Sequence, residues 1–384
     1  MKRKAYIVGA FEHPVRKSPD KSTAQLHAEA VAGALADAGL HRSEIDGYCC
    51  AGDTPGLGVL NMADYLGLRL RFFDSTDVGG SAYLILAARA AEAVEAGLCD
   101  VAVVAMAGRP RSEAMAQILG SNPAQPDLPW ERPYRMVIPA SYAMVARRHM
   151  HEFGTTAEQL AWIKVAASEH AQHNPHAMLP KPVTVDDVLA SPSVADPLRR
   201  LDCCVVSDGA AAIVIAEQGI ARRTGRPLVR IIGAGQAARG THGDELDLVS
   251  SGAVRSGAEA FARAGVTPAD IRYASIYDSF TITVLVQLED LGFCAKGEGG
   301  RFVADGALIS GSGRLAVNTD GGGLCNNHPA NRGGMIKILE AVRQLRGEAH
   351  PAVQLPDLSL ALAHGTGGSL GGRHGSATLI MERE

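Results

Sequence analysis

At 384 residues, 46% of them hydrophobic, the chain is long enough to build two or three packed units around a large core. A formal charge of −4 without any dense Lys/Arg run argues against a nucleic-acid surface, and no stretch reaches the ~18 to 20 apolar residues of a membrane span. Seven cysteines without paired CxxC spacings point to reduced thiols in a cytoplasmic setting and against a disulfide framework or zinc site, and the apolar run after Lys4 is too short for a signal peptide.

In chain order, 5–10 is expected as a buried strand, 22–38 as an amphipathic helix ended by Gly39, and 45–51 and 71–76 as further strands. Residues 80–96, rich in Ala and Leu, suit a helix buried on most sides, and 100–107 a strand ended by Gly108. This alternation predicts a mostly parallel sheet. Six prolines between 110 and 139 then interrupt regular structure until helices at 141–153 and 156–173, the second opened by a threonine cap in Thr155-Thr156-Ala157-Glu158. Residues 174–196 are expected as loop. His149, His151, His170, His173 and His176 lack the carboxylate or cysteine set of a metal site and are expected on solvated or pocket-lining helix surface. Cys49-Cys50 and Cys203-Cys204 are expected as packed thiols. The remainder predicts strands at 227–235, 274–280, 314–317, 360–368 and 375–381, with helices at 257–264, 283–291 and 331–346.

Two stretches repeat. Thr76-Asp77-Val78-Gly79-Gly80-Ser81 matches Thr319-Asp320-Gly321-Gly322-Gly323-Leu324, and the following helices share Glu92-Ala93-Val94 and Glu340-Ala341-Val342. The offset is 226 residues between Gly39 and Gly265, 243 at the glycine turns and 248 at the helices, yet only 166 between Asp208 and His374. An insert of about 82 residues therefore lies between Arg109 and Ser207. The predicted units are an N-terminal half (1–108 with 205–225), an inserted loop domain (109–204) and a C-terminal half (226–384).

Tyr277-Asp278, His328 and His364 each stand at or just beyond a predicted strand end, where parallel-sheet folds gather ligands. The duplicated halves, the insert, the block Asn318 to Pro329 (Asn-Thr-Asp-Gly-Gly-Gly-Leu-Cys-Asn-Asn-His-Pro) and Ser207-Asp208-Gly209-Ala210-Ala211 resemble the thiolase superfamily. Its sterol-carrier-type thiolases and their lipid-transfer-protein relatives are the most similar branch, and the resemblance spans essentially the whole chain. It implies an α/β fold of five layers, αβαβα, with the two glycine-turn helices in the central layer, and a homodimer.

The resemblance breaks at the nucleophile. Active thiolases start the first central helix with a cysteine; that position is Gly80 here, flanked by Gly79 and Ser81, and a serine at a helix start is more often a cap. The branch's His-Asp-Cys-Phe block is Tyr277-Asp278-Ser279-Phe280, while its histidine before proline is kept as His328 and its last reactive position corresponds to His364. A retro-aldolase on a β-hydroxyacyl-CoA needs an enolate site and a base but no nucleophile. The expectation is that His328 binds the thioester oxygen, backbone amides at Gly80 and Gly367 assist, and Tyr277, polarised by His364, carries the hydroxyl proton; Asp278, Asn318 and Cys325 support the site. No cofactor or metal is expected beyond the coenzyme A of an acyl-CoA substrate. The resemblance allows a small OB-fold partner carrying a zinc ribbon. Two alternatives stay open: acyl transfer through Cys325 or Cys294, and a non-catalytic acyl-CoA or lipid binder.

Overall fold

The computed structural model describes residues 3–51, 54–113, 138–240 and 247–384. The N-terminal half runs β1 (Ala5–Glu12), α1 (Thr23–Ala38), β2 (Gly47–Ala51), α2 (Val59–Leu66), β3 (Phe72–Thr76), α3 (Ala82–Glu95) and β4 (Val101–Gly108). Next come α4 (Ile138–Phe153), α5 (Ala157–Ala171), α6 (Val185–Ala190) and the small β5 (Ser193–Ala195) and β6 (Leu198–Arg199), before β7 (Gly209–Glu217) and α7 (Gln218–Arg223). The rest contains β8 (Val229–Arg239), α8 (Ala253–Ala264), β9 (Tyr273–Ile276), α9 (Thr281–Asp290), α10 (Gly299–Val303), β10 (Ala316–Val317), α11 (Gly322–Cys325), α12 (Gly333–Arg346), β11 (Leu360–Gly368) and β12 (His374–Arg383). Helix starts follow their caps: the Ser22 and Thr156 side chains accept from the Gln25 and Gln159 amides, and Gly39 closes α1 in the left-handed conformation. The stretch 174–196, expected as loop, carries α6, whose Thr184–Asp187 capping box stabilises one short helix.

Strand order is β10-β9-β11-β12-β8-β1-β7-β4-β2-β3, so each half runs first-fifth-fourth-second-third outward from the β1–β8 seam. The sheet is mixed, not mostly parallel. The second, third and fourth strands of each half pair in parallel, but β7 is antiparallel to β1 and β4, and β12 to β8 and β11. Residues 369–373, which join β11 to β12, are too few for the crossover that a parallel pair requires.

Three apolar cores separate five layers. The outer faces are α1 and α2 against the first half-sheet and α8 and α9 against the second; between the half-sheets lie α3 and α12. Alanines at 82, 87, 90, 91 and 93 of α3 are buried in that centre. Helix α12 instead buries Lys337, Glu340 and Arg346, each with a partner: Asp278, Thr319 and Asp37, respectively. A charge removed from water persists only where such partners compensate it.

Candidate active site

Strand β9 ends at Ile276 and delivers Tyr277 into the central layer, where its amide donates to the His364 carbonyl at 3.0 Å. Asn318, at φ 53°, stitches this strand end: its Nδ2 donates to Ile276 O and its Oδ1 accepts from Ile276 N, both at 2.8 Å. The Tyr277 ring lies against Gly80. A Cβ at Gly80 would come within 2.4 Å of both Tyr277 Cε2 and the Thr366 carbonyl oxygen, so no side chain fits there. Gly367 presses on the backbone of Val78 and Gly79, and the Gly80 carbonyl abuts Gly334 at the start of α12, so the starts of both central helices meet beside Tyr277. The Tyr277 hydroxyl donates to Ala330 O at 3.2 Å.

His328 stands edge-on to that ring, with centroids 5.4 Å apart and planes at 70°. Its amide donates to Ser207 Oγ at 3.0 Å, and Ser207 Oγ donates to Asn327 Oδ1 at 2.6 Å. The Asp278 carboxylate accepts from the amides of Gly323 (2.8 Å) and Leu324 (3.1 Å) and from Lys337 Nζ (2.6 Å). This close approach explains Gly322, whose φ is +59° and where a Cβ would lie 2.1 Å from Asp278 Oδ2. His328 Nε2 is buried and has no hydrogen-bond partner among the described residues, an arrangement that costs energy unless a ligand supplies the bond. Burial pushes the imidazole down to about 4, with Asp278 opposing, so the ring is neutral at physiological pH.

His364 is not brought to this pocket by its side chain. Along β11, Ala361 and Ala363 face the central core and Leu362 the outer one, so His364 also points outward, where Nδ1 meets Thr378 Oγ1 at 2.8 Å and Thr378 meets Ser256 of α8 at 3.0 Å. Only its backbone carbonyl touches the Tyr277 amide, so His364 is not the polarising partner expected for Tyr277, whose hydroxyl donates instead to Ala330 O. Ser81 Oγ donates to Val78 O at 2.7 Å. Cys325 is fully buried at the end of α11, its Sγ 3.1 Å from Lys164 Nζ, and burial raises its thiol in spite of that lysine. Cys294 lies instead among Glu289, Lys296 and Glu298, pushed up to about 12 by burial.

Several contributors escape the motif pattern. Tyr142 of α4 hydrogen-bonds Ser279 and the Leu370 backbone and stacks on Phe280 with centroids 4.4 Å apart, which brings the insert to the Tyr277 wall. Burial, then the nearby Cys204, Tyr142 and Asp278, hold the Tyr277 phenol well above its ordinary value. His149 and His170, expected on solvated or pocket-lining surface, are fully buried struts. His149 bridges Thr155 (2.8 Å) and Glu289 (3.1 Å), and His170 takes the Ser310 amide (2.9 Å) and faces Asn318 O (3.3 Å). Cys49 and Cys50 are buried as expected, whereas Cys203 and Cys204 are only partly so. Among the described residues no group of three His, Cys, Asp or Glu is arranged to hold a metal, and no helix is long and apolar enough to cross a membrane.

The buried histidines make acid sensitivity a direct expectation. Burial lowers His27 and His364 to about 3 and His170 and His328 to about 4, from an ordinary 6.5. Each contributes stability that is complete above the unfolded value and is lost as pH falls below it, about 1.4 kcal/mol per histidine at pH 5.5. Glu340, pushed up to about 7 chiefly by burial and Asp320, works in the opposite sense and offsets part of this. Thermal melts should therefore show Tm falling by several degrees between pH 7.5 and pH 5.5; an unchanged Tm contradicts the buried neutral imidazoles.

With the geometry in place, comparison with known proteins assigns the class. The thiolase C-terminal domain-like family matches residues 235–383. The chain is 39% identical to the 17-hydroxy-3-oxo-4-pregnene-20-carboxyl-CoA lyase of Mycobacterium tuberculosis over 364 residues, 89% of this chain and 92% of the relative. It is 34% identical to the acetyl-CoA acetyltransferase of Methanothermobacter thermautotrophicus over 386 aligned positions, 96% of this chain and 97% of that one. A solved structure described as the Ltp2-ChsH2(DUF35) aldolase superposes with a TM-score of 0.88 at 33% identity, over 99% of this chain and 98% of the other. The chain belongs to the thiolase superfamily, as an enzyme of its sterol-carrier-type branch.

Proposed function

We propose that this enzyme cleaves a β-hydroxyacyl-CoA by a retro-aldol reaction through a thioester enolate. The observation that carries this reading is the Tyr277 ring lying where a thiolase nucleophile would project from Gly80, beside a His328 Nε2 that has no hydrogen-bond partner among the described residues. In the cleavage direction the β-hydroxyl proton passes to the Oη of ionised Tyr277 and the O–H electron pair becomes the new carbonyl. The Cα–Cβ bond breaks, and its electron pair moves into an enolate whose oxygen is bound by His328 Nε2–H, with the Gly80 and Gly367 amides as further donors. Return of the proton from Tyr277 Oη to Cα releases the shortened acyl-CoA and regenerates the base. Asn318 and Asp278 hold the strand end and turn that carry Tyr277 and His328; His364 serves through its carbonyl. The lyase relative and the aldolase structure support the same reaction class.

Acyl transfer through Cys325 is disfavoured by a sealed thiol that burial keeps protonated. Cys325→Ala should retain at least half of the lyase turnover in a coupled carbonyl-release assay; abolished turnover in a folded variant would return the assignment to a cysteine acyl carrier.

The reading includes a cytoplasmic homodimer, 1–108 with 205–225, 109–204 and 226–384 as its three units, and a small OB-fold partner with a zinc ribbon, supported by the DUF35 component in the name of the aldolase structure. Support for the dimer comes from β3, the terminal strand of the sheet among the described residues, where Phe73 is exposed; α2, which packs against β3, exposes Leu60 and Tyr65, and Leu57 just before it is exposed too. Phe73→Glu should shift sedimentation from dimer toward monomer; a wild-type profile would place the interface elsewhere.

A further inference from the structure

Beneath the Tyr277–His328 pair lies an ion pair that no family motif names. Lys337 follows Gly333 by one turn of α12, and a Cβ at Gly333 would sit 3.4 Å from both Tyr277 Cε2 and His328 Cδ2. Its Nζ reaches Asp278 Oδ1 at 2.6 Å with side-chain exposures of 3% and 0%. The same carboxylate pins the Gly323 and Leu324 amides, and a Cβ at Gly323 would meet both Asp278 and His328 Cδ2, so the carboxylate, the turn and the imidazole form one packed stack.

We propose that Lys337 is a positioning residue for this site: it anchors Asp278 under the 322–324 turn and offsets that carboxylate's charge beside His328. A lone buried carboxylate next to an imidazole favours the imidazolium, which cannot hold the proton pattern of a neutral donor. The groups facing this stack are Tyr277 at the ring edge, Asp278 and Lys337 themselves, Asp320, which also feels Lys337, and the thiols of Cys204 and Cys325, which feel Asp278. The inference deepens the enolate reading, because it concerns the group assigned to the thioester oxygen, but its test does not depend on turnover.

The experiment titrates His328 in the full chain labelled with 13Cε1-histidine, the signal assigned by His328→Asn, from pH 8 down to pH 5. Wild type should stay neutral throughout. Lys337→Met should raise the His328 midpoint by about one pH unit, so that protonation becomes visible near pH 5, and Lys337→Arg should restore the neutral signal. Should Lys337→Met fail to fold, Asp278→Asn/Lys337→Met removes both charges and its His328 should stay neutral down to pH 5, as in wild type. A folded Lys337→Met whose His328 stays neutral down to pH 5 as in wild type, or a double variant whose His328 protonates near pH 5, overturns the role of Lys337. Absent lyase turnover in wild type with the shift intact would instead refute the proposed reaction alone.

Discussion

Tyr277→Phe is expected to lower retro-aldol kcat by about 10²- to 10⁴-fold while acyl-CoA binding changes less than about threefold, because the substitution removes a proton carrier and almost no volume. The phenol is held protonated by burial, so the form that accepts a β-hydroxyl proton is scarce at neutral pH and grows as pH rises. Wild-type cleavage should therefore climb with pH, by up to about tenfold per unit between pH 6.5 and 9, and the slope should vanish in Tyr277→Phe. Stopped-flow turnover and calorimetric binding on the same preparations separate the two effects. Normal turnover in the phenylalanine variant would remove Tyr277 from the chemistry and favour a protein that only binds acyl-CoA.

Gly80→Cys is expected to fail as a route back to a thiolase. Its Cβ would lie 2.4 Å from the Thr366 carbonyl and from the Tyr277 ring, and one of those is backbone that cannot turn aside as a rotamer does. Overpacking of this kind costs about 1 to 3 kcal/mol, more where the main chain must move. The variant should melt several degrees below wild type and show no acetyl transfer between acetyl-CoA molecules. A Gly80→Cys protein with wild-type Tm and a rapidly alkylated, acyl-accepting thiol would mean that Tyr277 does not fill the nucleophile's place.

Much of this arrangement was legible in the sequence because it rests on local rules. Gly39 and Gly265 end matched helices in left-handed conformation, at φ 64° and 70°, and the glycine turns before α3 and α12 stand where the repeat placed them. The gathering of Tyr277, His328 and Gly80 also followed from the repeat. What escaped depends on which way a strand or side chain faces. His364 stands beside a glycine run that does approach Gly80, yet strand alternation turns its ring to the outer layer. Strand direction was misjudged because the alternating helices masked the hairpin formed by β11 and β12. His149 and His170 resembled solvated positions on helices, and only their partners Glu289 and Ser310, distant in sequence, explain their burial; Lys337 carried no sequence signal, because its partner Asp278 is equally distant.

The most direct test of the account is product analysis of the purified enzyme, with and without a zinc-ribbon OB-fold partner, on a panel of β-hydroxyacyl-CoA thioesters. Liquid chromatography–mass spectrometry follows the small products, and intact-protein mass follows any covalent adduct. The account predicts a free aldehyde or ketone and a shortened acyl-CoA in equal amounts, with no acyl group left on the protein. Acylation of a cysteine with transfer to free coenzyme A, or binding of every thioester without cleavage, would contradict it.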